Sequence, residues 1–153
     1  MRGIVTAAAL MLAGSALAQG TSVWDGVYTE AQAQTGSTDF AAHCAACHGA
    51  ALTGTGEAPP LEGAQFLGDF NGETVGDLFD RIRTTMPQDQ PGSLTRAQYA
   101  GILAFVLKFN SFPAGARPLD QRSEYLKAIS FDASAPRPVP EPAAAAQPPR
   151  TPP

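Results

Sequence analysis

Both cysteines and both histidines of this 153-residue chain lie in one stretch, AAHCAACHGA, at positions 41–50. Cys44 and Cys47 are three positions apart, and His48 directly follows the second of them. Two thiols and an imidazole in this pattern can form a disulfide redox pair, bind a metal ion or attach a haem covalently. The remaining sequence decides among these three possibilities.

The first two possibilities find little support in the chain. A structural zinc site needs four ligands around one ion, and the four Cys and His residues here fall within six consecutive positions, which is too compact to surround it. A thioredoxin-like redox pair is found near a βαβ pattern, and no strand pattern is present in this sequence.

Covalent haem attachment requires only what residues 44–48 supply. Two thiols add across the vinyl groups of the porphyrin, and the adjacent imidazole becomes a ligand of the iron. We therefore interpret Cys44 and Cys47 as the attachment residues of one haem c, and His48 as an axial ligand. A haem would also complete the thin core of a chain with little aliphatic bulk.

The N-terminus has the three parts of a secretory signal peptide. Arg2 supplies the positive charge, residues 4–17 are mostly apolar, and Ala16-Leu17-Ala18 fits a small-x-small cleavage site. The apolar stretch is shorter than the about 20 residues that a membrane span needs. We predict a signal peptide at residues 1–18, a periplasmic location and no integral membrane segment after cleavage; the alternative is an uncleaved N-terminal anchor.

Short helical patterns follow a polar lead at residues 19–26. Thr29 is expected to cap a short helix that Gly36 interrupts, and a second helix is expected to begin at residues 37–39 and enter the Cys stretch. Residues 49–72 are rich in glycine and proline, so we predict a loop that wraps the haem.

Two longer helices carry their own start signals. Thr74 with Asp77, and Thr95 with Gln98, form capping-box patterns. The first helix must end near Thr85, since a proline follows two residues later. The second has an apolar face along its whole length.

A last short helix is predicted within residues 119–131, followed by a Pro/Ala-rich tail at residues 132–153 that is expected to be disordered. The predicted fold is therefore all-α, with three to four short helices around a covalently bound haem in a domain of residues 27–131.

A second axial ligand is predicted on the other face of the iron. Met86 is the one methionine beyond the predicted signal peptide, and it stands between a helix and Pro87. His43 adjoins the attachment motif and is held on the side of His48. Thioether ligation favours reduced iron. If His48 and Met86 both bind, no coordination position remains for a substrate, so we predict an electron carrier and not an enzyme.

The charge distribution restricts the partners. The chain has a formal net charge of −4 and no basic aromatic patch, which argues against nucleic acid. Residues 3–80 contain nine acidic and no basic residues, whereas residues 81–153 contain nine basic and five acidic ones. This polarity either orients docking or only solvates the surface.

The motifs CAACH and TMPQDQPGSLT resemble those of the class I cytochromes c, over about residues 27–112. The resemblance implies a cytochrome c-like fold in which Gly36 and Phe40 pack against the C-terminal helix. Candidates for the other side of that crossing are Tyr99, Ile102 and Leu103.

The same resemblance implies further residues around the haem. The stretch APPL is similar to the family's proximal loop, in which a proline carbonyl accepts the ring N–H of the histidine ligand. This role would belong to Pro59, with His48 as its partner and Leu61 against the haem. Arg81 and Arg83 are candidates for pairing with the haem propionates; the alternative for both is a solvated helix face.

A narrower resemblance concerns the partners. VWDGVYTEAQA, GDLFDRIRTTMPQDQPGSLT and YAGILAFVLKFNSFPAG are similar to small periplasmic cytochromes found beside, or fused to, quinoprotein (PQQ) and other dehydrogenases. This implies a dehydrogenase as electron donor and a cytochrome or oxidase of the respiratory chain as acceptor. The family's lysine-rich docking face is absent, since Lys108 and Lys127 are the two lysines.

Two other functions stay open at the level of sequence. A haem-based gas sensor or peroxidase-like subunit would need an open distal site. A fixed cytochrome subunit of a dehydrogenase complex would use the same haem and ligands without free diffusion.

Overall fold

The computed structural model describes residues 21–56 and 58–136, and these residues form an all-α fold, as predicted. The predicted signal peptide and the tail from residue 137 onward lie outside the described residues. The α-helices are α1 (Glu30–His43), α2 (Ala45–His48), α3 (Gly63–Phe70), α4 (Val75–Thr85), α5 (Arg96–Phe109) and α6 (Ser123–Leu126), and a short 3₁₀ helix at Val23–Asp25 precedes them. None of the helices in this described part is long and apolar enough to cross a membrane.

The first helix corrects a prediction. Thr29 caps it as expected, its Oγ1 accepting from Gln32 N at 3.2 Å, but α1 continues through Gly36 to His43 without a break. Gly36 is buried where α1 crosses α5, and a Cβ at this position would overlap the carbonyl group of Gly101. The glycine therefore permits close approach of two helices and does not interrupt one.

The helices α4 and α5 are confirmed, including their capping boxes. Thr74 Oγ1 accepts from Asp77 N at 3.1 Å, and Thr95 Oγ1 accepts from Gln98 N at 3.2 Å. Eight residues of α5 are buried, so this helix lies at the centre of the core. It packs mainly against α1, and α4 packs against α5 and α6.

The prediction of a loop over residues 49–72 is wrong in its last part. Residues 63–70 form α3, which buries Phe66 and Phe70. Both rings pack against Phe131 from the C-terminal segment, with centroid distances of 5.9 and 6.1 Å. Distant contacts therefore stabilise a helix whose N-cap, Glu62, makes no capping hydrogen bond through its side chain.

The C-terminal segment is less helical than predicted. Within residues 119–131 the α-helix is limited to Ser123–Leu126, although Leu119, Leu126 and Phe131 are buried. Ile129–Ser130 (β2) pairs in parallel with Thr21–Ser22 (β1), a short ladder that the sequence did not predict. The segment thus crosses back over the start of the described chain and closes the core.

Candidate functional site

The Cys-Ala-Ala-Cys-His stretch lies at the junction of α1 and α2. Cys44 ends α1, where its backbone N–H donates to Phe40 O at 2.8 Å, and it also caps α2. His48 N donates to Cys44 O at 3.0 Å, which closes the next turn. Both thiols are free; that of Cys44 is half-buried and that of Cys47 is exposed.

The environment of Cys44 argues against a redox-active thiol pair. Burial, reinforced by the negative charge of Asp39 and by Cys47, raises the pKa of the Cys44 thiol to about 11. Reactive thiols in Cys-x-x-Cys redox motifs have lowered pKa values, because the thiolate is the nucleophile. The Cys44 thiol is protonated at neutral pH, and its position in an all-α fold also lacks the βαβ setting of thioredoxins.

His48 is fixed in one orientation. It is 8% exposed, and its ring Nδ1 lies 2.9 Å from Pro59 O. A carbonyl oxygen can only accept, so this contact places the ring proton on Nδ1 and leaves the lone pair of Nε2 free for a metal. The resemblance to the class I cytochromes c implied this pairing of His48 with Pro59.

The loop between these two residues is held by its own backbone. Gly54 N donates to His48 O at 2.9 Å, and Leu61 N donates to Leu52 O at 2.7 Å. Gly54 has a φ of +76°, and a Cβ there would lie 2.5 Å from Ala58 O. A side chain at this position would therefore displace the backbone segment that leads to Pro59. The position of the Pro59 carbonyl therefore depends on Gly54.

Leu61 and Phe40 contact different parts of the fold. Leu61 is half-buried, and its carbonyl accepts from Asn110 Nδ2 at 3.0 Å. The Asn110 Oδ1 accepts from Gly63 N at 3.0 Å, so one amide ties the end of α5 to the start of α3. Phe40 is buried between α1 and α5, with its ring 5.2 Å from that of Phe105. Sequence reasoning missed Asn110, since nothing local distinguishes it from an ordinary helix end.

Met86 follows α4 in an extended conformation (φ −123°, ψ 154°) and is half-buried. Its backbone N–H donates to Ile82 O at 2.9 Å. Its carbonyl accepts from the Tyr99 hydroxyl at 2.7 Å and from Gly92 N at 3.3 Å. The sequence indicated Tyr99 only as a helix-crossing residue and did not reveal this contact.

Arg83 carries an unsatisfied donor. Its Nε is buried and has no hydrogen-bond partner among the described residues, while its terminal nitrogen lies 3.4 Å from Asp80 Oδ1. Asp80 is held in turn by Ser123 Oγ at 2.5 Å and by Lys127 Nζ at 3.6 Å. A buried N–H that lacks an acceptor is costly, and a haem carboxylate would supply one. By contrast, Arg81 is exposed, and its Nη2 forms an ion pair with Glu73 Oε1 at 3.3 Å.

The donor set of this site fits a covalent haem. It offers two free thiols, an imidazole with a free Nε2, a thioether on a fixed backbone and an unsatisfied guanidinium N–H. Within residues 21–56 and 58–136, no group of three or more His, Cys, Asp or Glu side chains is arranged so that it could hold a metal ion.

Replacing Asp80 with asparagine tests how the Arg83 cluster contributes to stability. The hydrogen bond from Ser123, with smaller contributions from Arg83 and Lys127, lowers the pKa of Asp80. A lowered pKa adds stability above the unfolded-state value of about 3.9, and that stability is lost as the pH falls through the folded-state value. We expect Asp80→Asn to reduce the free energy of unfolding at pH 7 by about 1–2 kcal/mol.

Denaturant unfolding of the Asp80→Asn variant and of the original protein between pH 3 and pH 7 measures this effect. The difference between the two should shrink below about pH 4. Asp69→Asn, which removes the same charge from an exposed position on α3, is the matched control and should change stability little. A pH-independent difference would contradict an ionic role for Asp80.

About half of the chain, including this site, is similar to one known protein family. Residues 31–106 match the model of a family described as cytochrome c oxidase, cbb3-type, subunit III. The matched range contains the Cys-Ala-Ala-Cys-His stretch and Met86. A comparison with curated protein sequences found no significant match.

One solved structure is similar in its chain path. It is the sulfane dehydrogenase SoxCD from Paracoccus pantotrophus, with 20% sequence identity and a TM-score of 0.45. The match covers 71% of this chain and 61% of the other, so this chain spans less than two thirds of that chain's length.

Proposed function

We propose that this chain, which is similar over residues 31–106 to the family described as cytochrome c oxidase, cbb3-type, subunit III, is a class I cytochrome c that acts as a periplasmic one-electron carrier with a single haem c. Cys44 and Cys47 would hold the haem through thioether bonds, and His48 and Met86 would be its axial ligands. When bound, the haem supplies an iron centre that alternates between two oxidation states. The hydrogen bond between His48 Nδ1 and Pro59 O is the observation that carries this proposal.

This hydrogen bond supports ligation because it presets the imidazole. A ligating histidine ordinarily donates its other ring N–H to a carbonyl or carboxylate, which fixes its tautomer and orientation and increases its basicity. In this chain a buried His48 already has that partner. An imidazole that served only to solvate the surface would not need a dedicated backbone acceptor.

The backbone hydrogen bonds of Met86 support its role as the second ligand. Three hydrogen bonds hold Met86, to Ile82, Tyr99 and Gly92, although residues 88–93 are exposed. With His48 and Met86 both bound, the protein itself fills both axial positions, which supports electron transfer and not substrate turnover. The thioether favours reduced iron and raises the potential.

The roles of the remaining predicted residues follow from their positions. Leu61 is half-buried and would cover the haem, and Phe40 supports the helix end that carries Cys44. The free Nε of Arg83 would donate to a haem propionate. The exposed sulfur of Cys47 would bring one edge of the haem to the surface, where a partner can exchange electrons.

The partners are proposed from the sequence resemblance to cytochromes that accompany dehydrogenases. A dehydrogenase would donate the electron, and a cytochrome or oxidase would accept it. Both lysines form ion pairs within the chain, Lys108 with Glu30 and Lys127 with Asp80. This supports docking by a route other than a lysine-rich face.

Replacing Met86 with alanine tests the axial pair. We expect the variant to keep its covalent haem, to bind carbon monoxide in the reduced state and to have a lower midpoint potential, because the thioether no longer stabilises reduced iron. Absorption spectra and a redox titration measure these changes. Gln88→Ala, at an exposed position two residues further on, is the control. An unchanged reduced spectrum and midpoint potential in Met86→Ala would refute Met86 as a ligand.

A further inference from the structure

We propose that Tyr99 is a positioning residue for Met86: its hydroxyl holds the Met86 carbonyl and so keeps the thioether in place as an axial ligand. This inference rests on the proposed ligation by His48 and Met86. It assigns to a residue of the C-terminal helix a role in the coordination of the iron.

The contacts of the Tyr99 hydroxyl join both ends of the segment that follows Met86. Tyr99 is 1% exposed, and its hydroxyl donates to Met86 O at 2.7 Å. The same oxygen accepts from Leu94 N at 3.4 Å. One buried side chain therefore connects residue 86 and residue 94 across the loop between them.

The loop itself has little else to hold it. Residues 88–93 are all exposed, so no buried side chain in this range packs it against the core. Its backbone hydrogen bonds, from Gly92 N to Met86 O at 3.3 Å, from Gln90 N to Pro87 O at 3.0 Å and from Ser93 N to Gln90 O at 3.2 Å, all lie within residues 86–93 and do not tie the loop to the core. Segments with few buried contacts are the ones that open locally at low free-energy cost.

Tyr99, by contrast, belongs to a well-packed helix. It lies in the first turn of α5, where Tyr99 N donates to Thr95 O at 3.1 Å next to the capping box. The helix is buried along most of its length and packs against α1. The hydroxyl thus links a weakly held loop to the most deeply buried helix of the fold.

Loss of this hydroxyl should favour the state in which Met86 has left the iron. The Met86 carbonyl would then keep only its hydrogen bond from Gly92 N, and Leu94 N would lose its acceptor. An external ligand such as imidazole binds only the open state, so its apparent affinity rises with the population of that state. A lost buried hydrogen bond of about 1.4 kcal/mol corresponds to a tenfold change.

The test is an imidazole titration of the oxidised protein in the Tyr99→Phe variant, which keeps the ring and removes one oxygen. We expect imidazole to bind about tenfold more tightly than in the original protein. The midpoint potential should fall in the same variant when imidazole is present. Far-ultraviolet circular dichroism checks that the helices are intact.

Tyr28 provides a matched control. It is also 1% exposed, and its hydroxyl donates to a backbone carbonyl, that of Phe112, at 2.6 Å. Tyr28→Phe removes the same kind of buried hydrogen bond without touching Met86. Both variants should lose global stability, whereas only Tyr99→Phe should change the affinity for imidazole.

The Met86→Ala variant separates the two proposals. If imidazole binds Met86→Ala no more tightly than the original protein, Met86 is not a ligand and the proposed function fails in that part. If Met86→Ala binds imidazole more tightly, but Tyr99→Phe binds it with the same affinity as Tyr28→Phe, ligation by Met86 stands and the role of Tyr99 is overturned.

Discussion

Replacing Cys44 and Cys47 together with alanine is expected to abolish covalent attachment of the haem. These are the two cysteines of the chain, so no other thiol can form a thioether bond. Cys44 also packs against the core, and the haem is expected to complete that core. The double variant should therefore accumulate poorly or unfold at a much lower temperature.

The measurement is the mass of protein exported from cells that contain haem-attachment machinery, together with a haem stain after denaturing electrophoresis. The original protein should carry the added mass of one haem, which also tests the number of haems. His43→Ala is the matched control, since His43 is an exposed residue of the same stretch. Haem that survives denaturation in the double variant would show that the thiols are not the attachment points.

Replacing Gly36 with alanine is expected to destabilise the fold by about 1–3 kcal/mol, because overpacking at a rigid backbone contact forces the two helices apart. The new Cβ would overlap the backbone carbonyl of Gly101, and a carbonyl within a helix cannot swing away as a flexible side chain can. The displacement would spread along α1 to the helix end that carries Cys44. Loss of stability should thus be accompanied by poor haem incorporation.

Urea unfolding measures the loss, and two other glycines calibrate it. A Cβ on Gly101 would lie 3.3 Å from Gly36 Cα, a tight contact, so Gly101→Ala should cost less than Gly36→Ala. Gly68 lies in α3 with nothing within 4 Å of a new Cβ, and Gly68→Ala should stabilise the protein by about 0.5–1 kcal/mol. If Gly36→Ala proved as stable as Gly68→Ala, the close crossing of α1 and α5 would be wrong.

The parts of the fold that sequence could predict are those with local signals. Thr74 and Thr95 each stand three residues before a reciprocal partner, and both helices begin where this spacing placed them. The uninterrupted α1 was not predictable locally, because Gly36 lowers helix propensity and is accommodated by α5. The helix α3 was missed for a similar reason, since Phe66 and Phe70 depend on a ring more than sixty residues away.

The residues of the site differ in the same way, because some have local sequence signals and others depend on distant contacts. Cys44, Cys47 and His48 form a contiguous motif, and the resemblance of the following loop to a known family indicated Pro59. The contacts of Tyr99 and Asn110 join residues that are 13 and 49 positions apart, respectively. Hydrogen bonds of this kind leave no pattern in the sequence, because many residue types can occupy such positions until the fold brings their partners together.

The most direct test of the central claim is an absorption spectrum of the exported protein, oxidised and reduced, with and without carbon monoxide. Ligation by His48 and Met86 predicts a c-type reduced spectrum that carbon monoxide leaves unchanged. Ready binding of carbon monoxide would mean that the distal position is open, and would contradict the assignment of this chain as an electron carrier with two protein ligands on its iron.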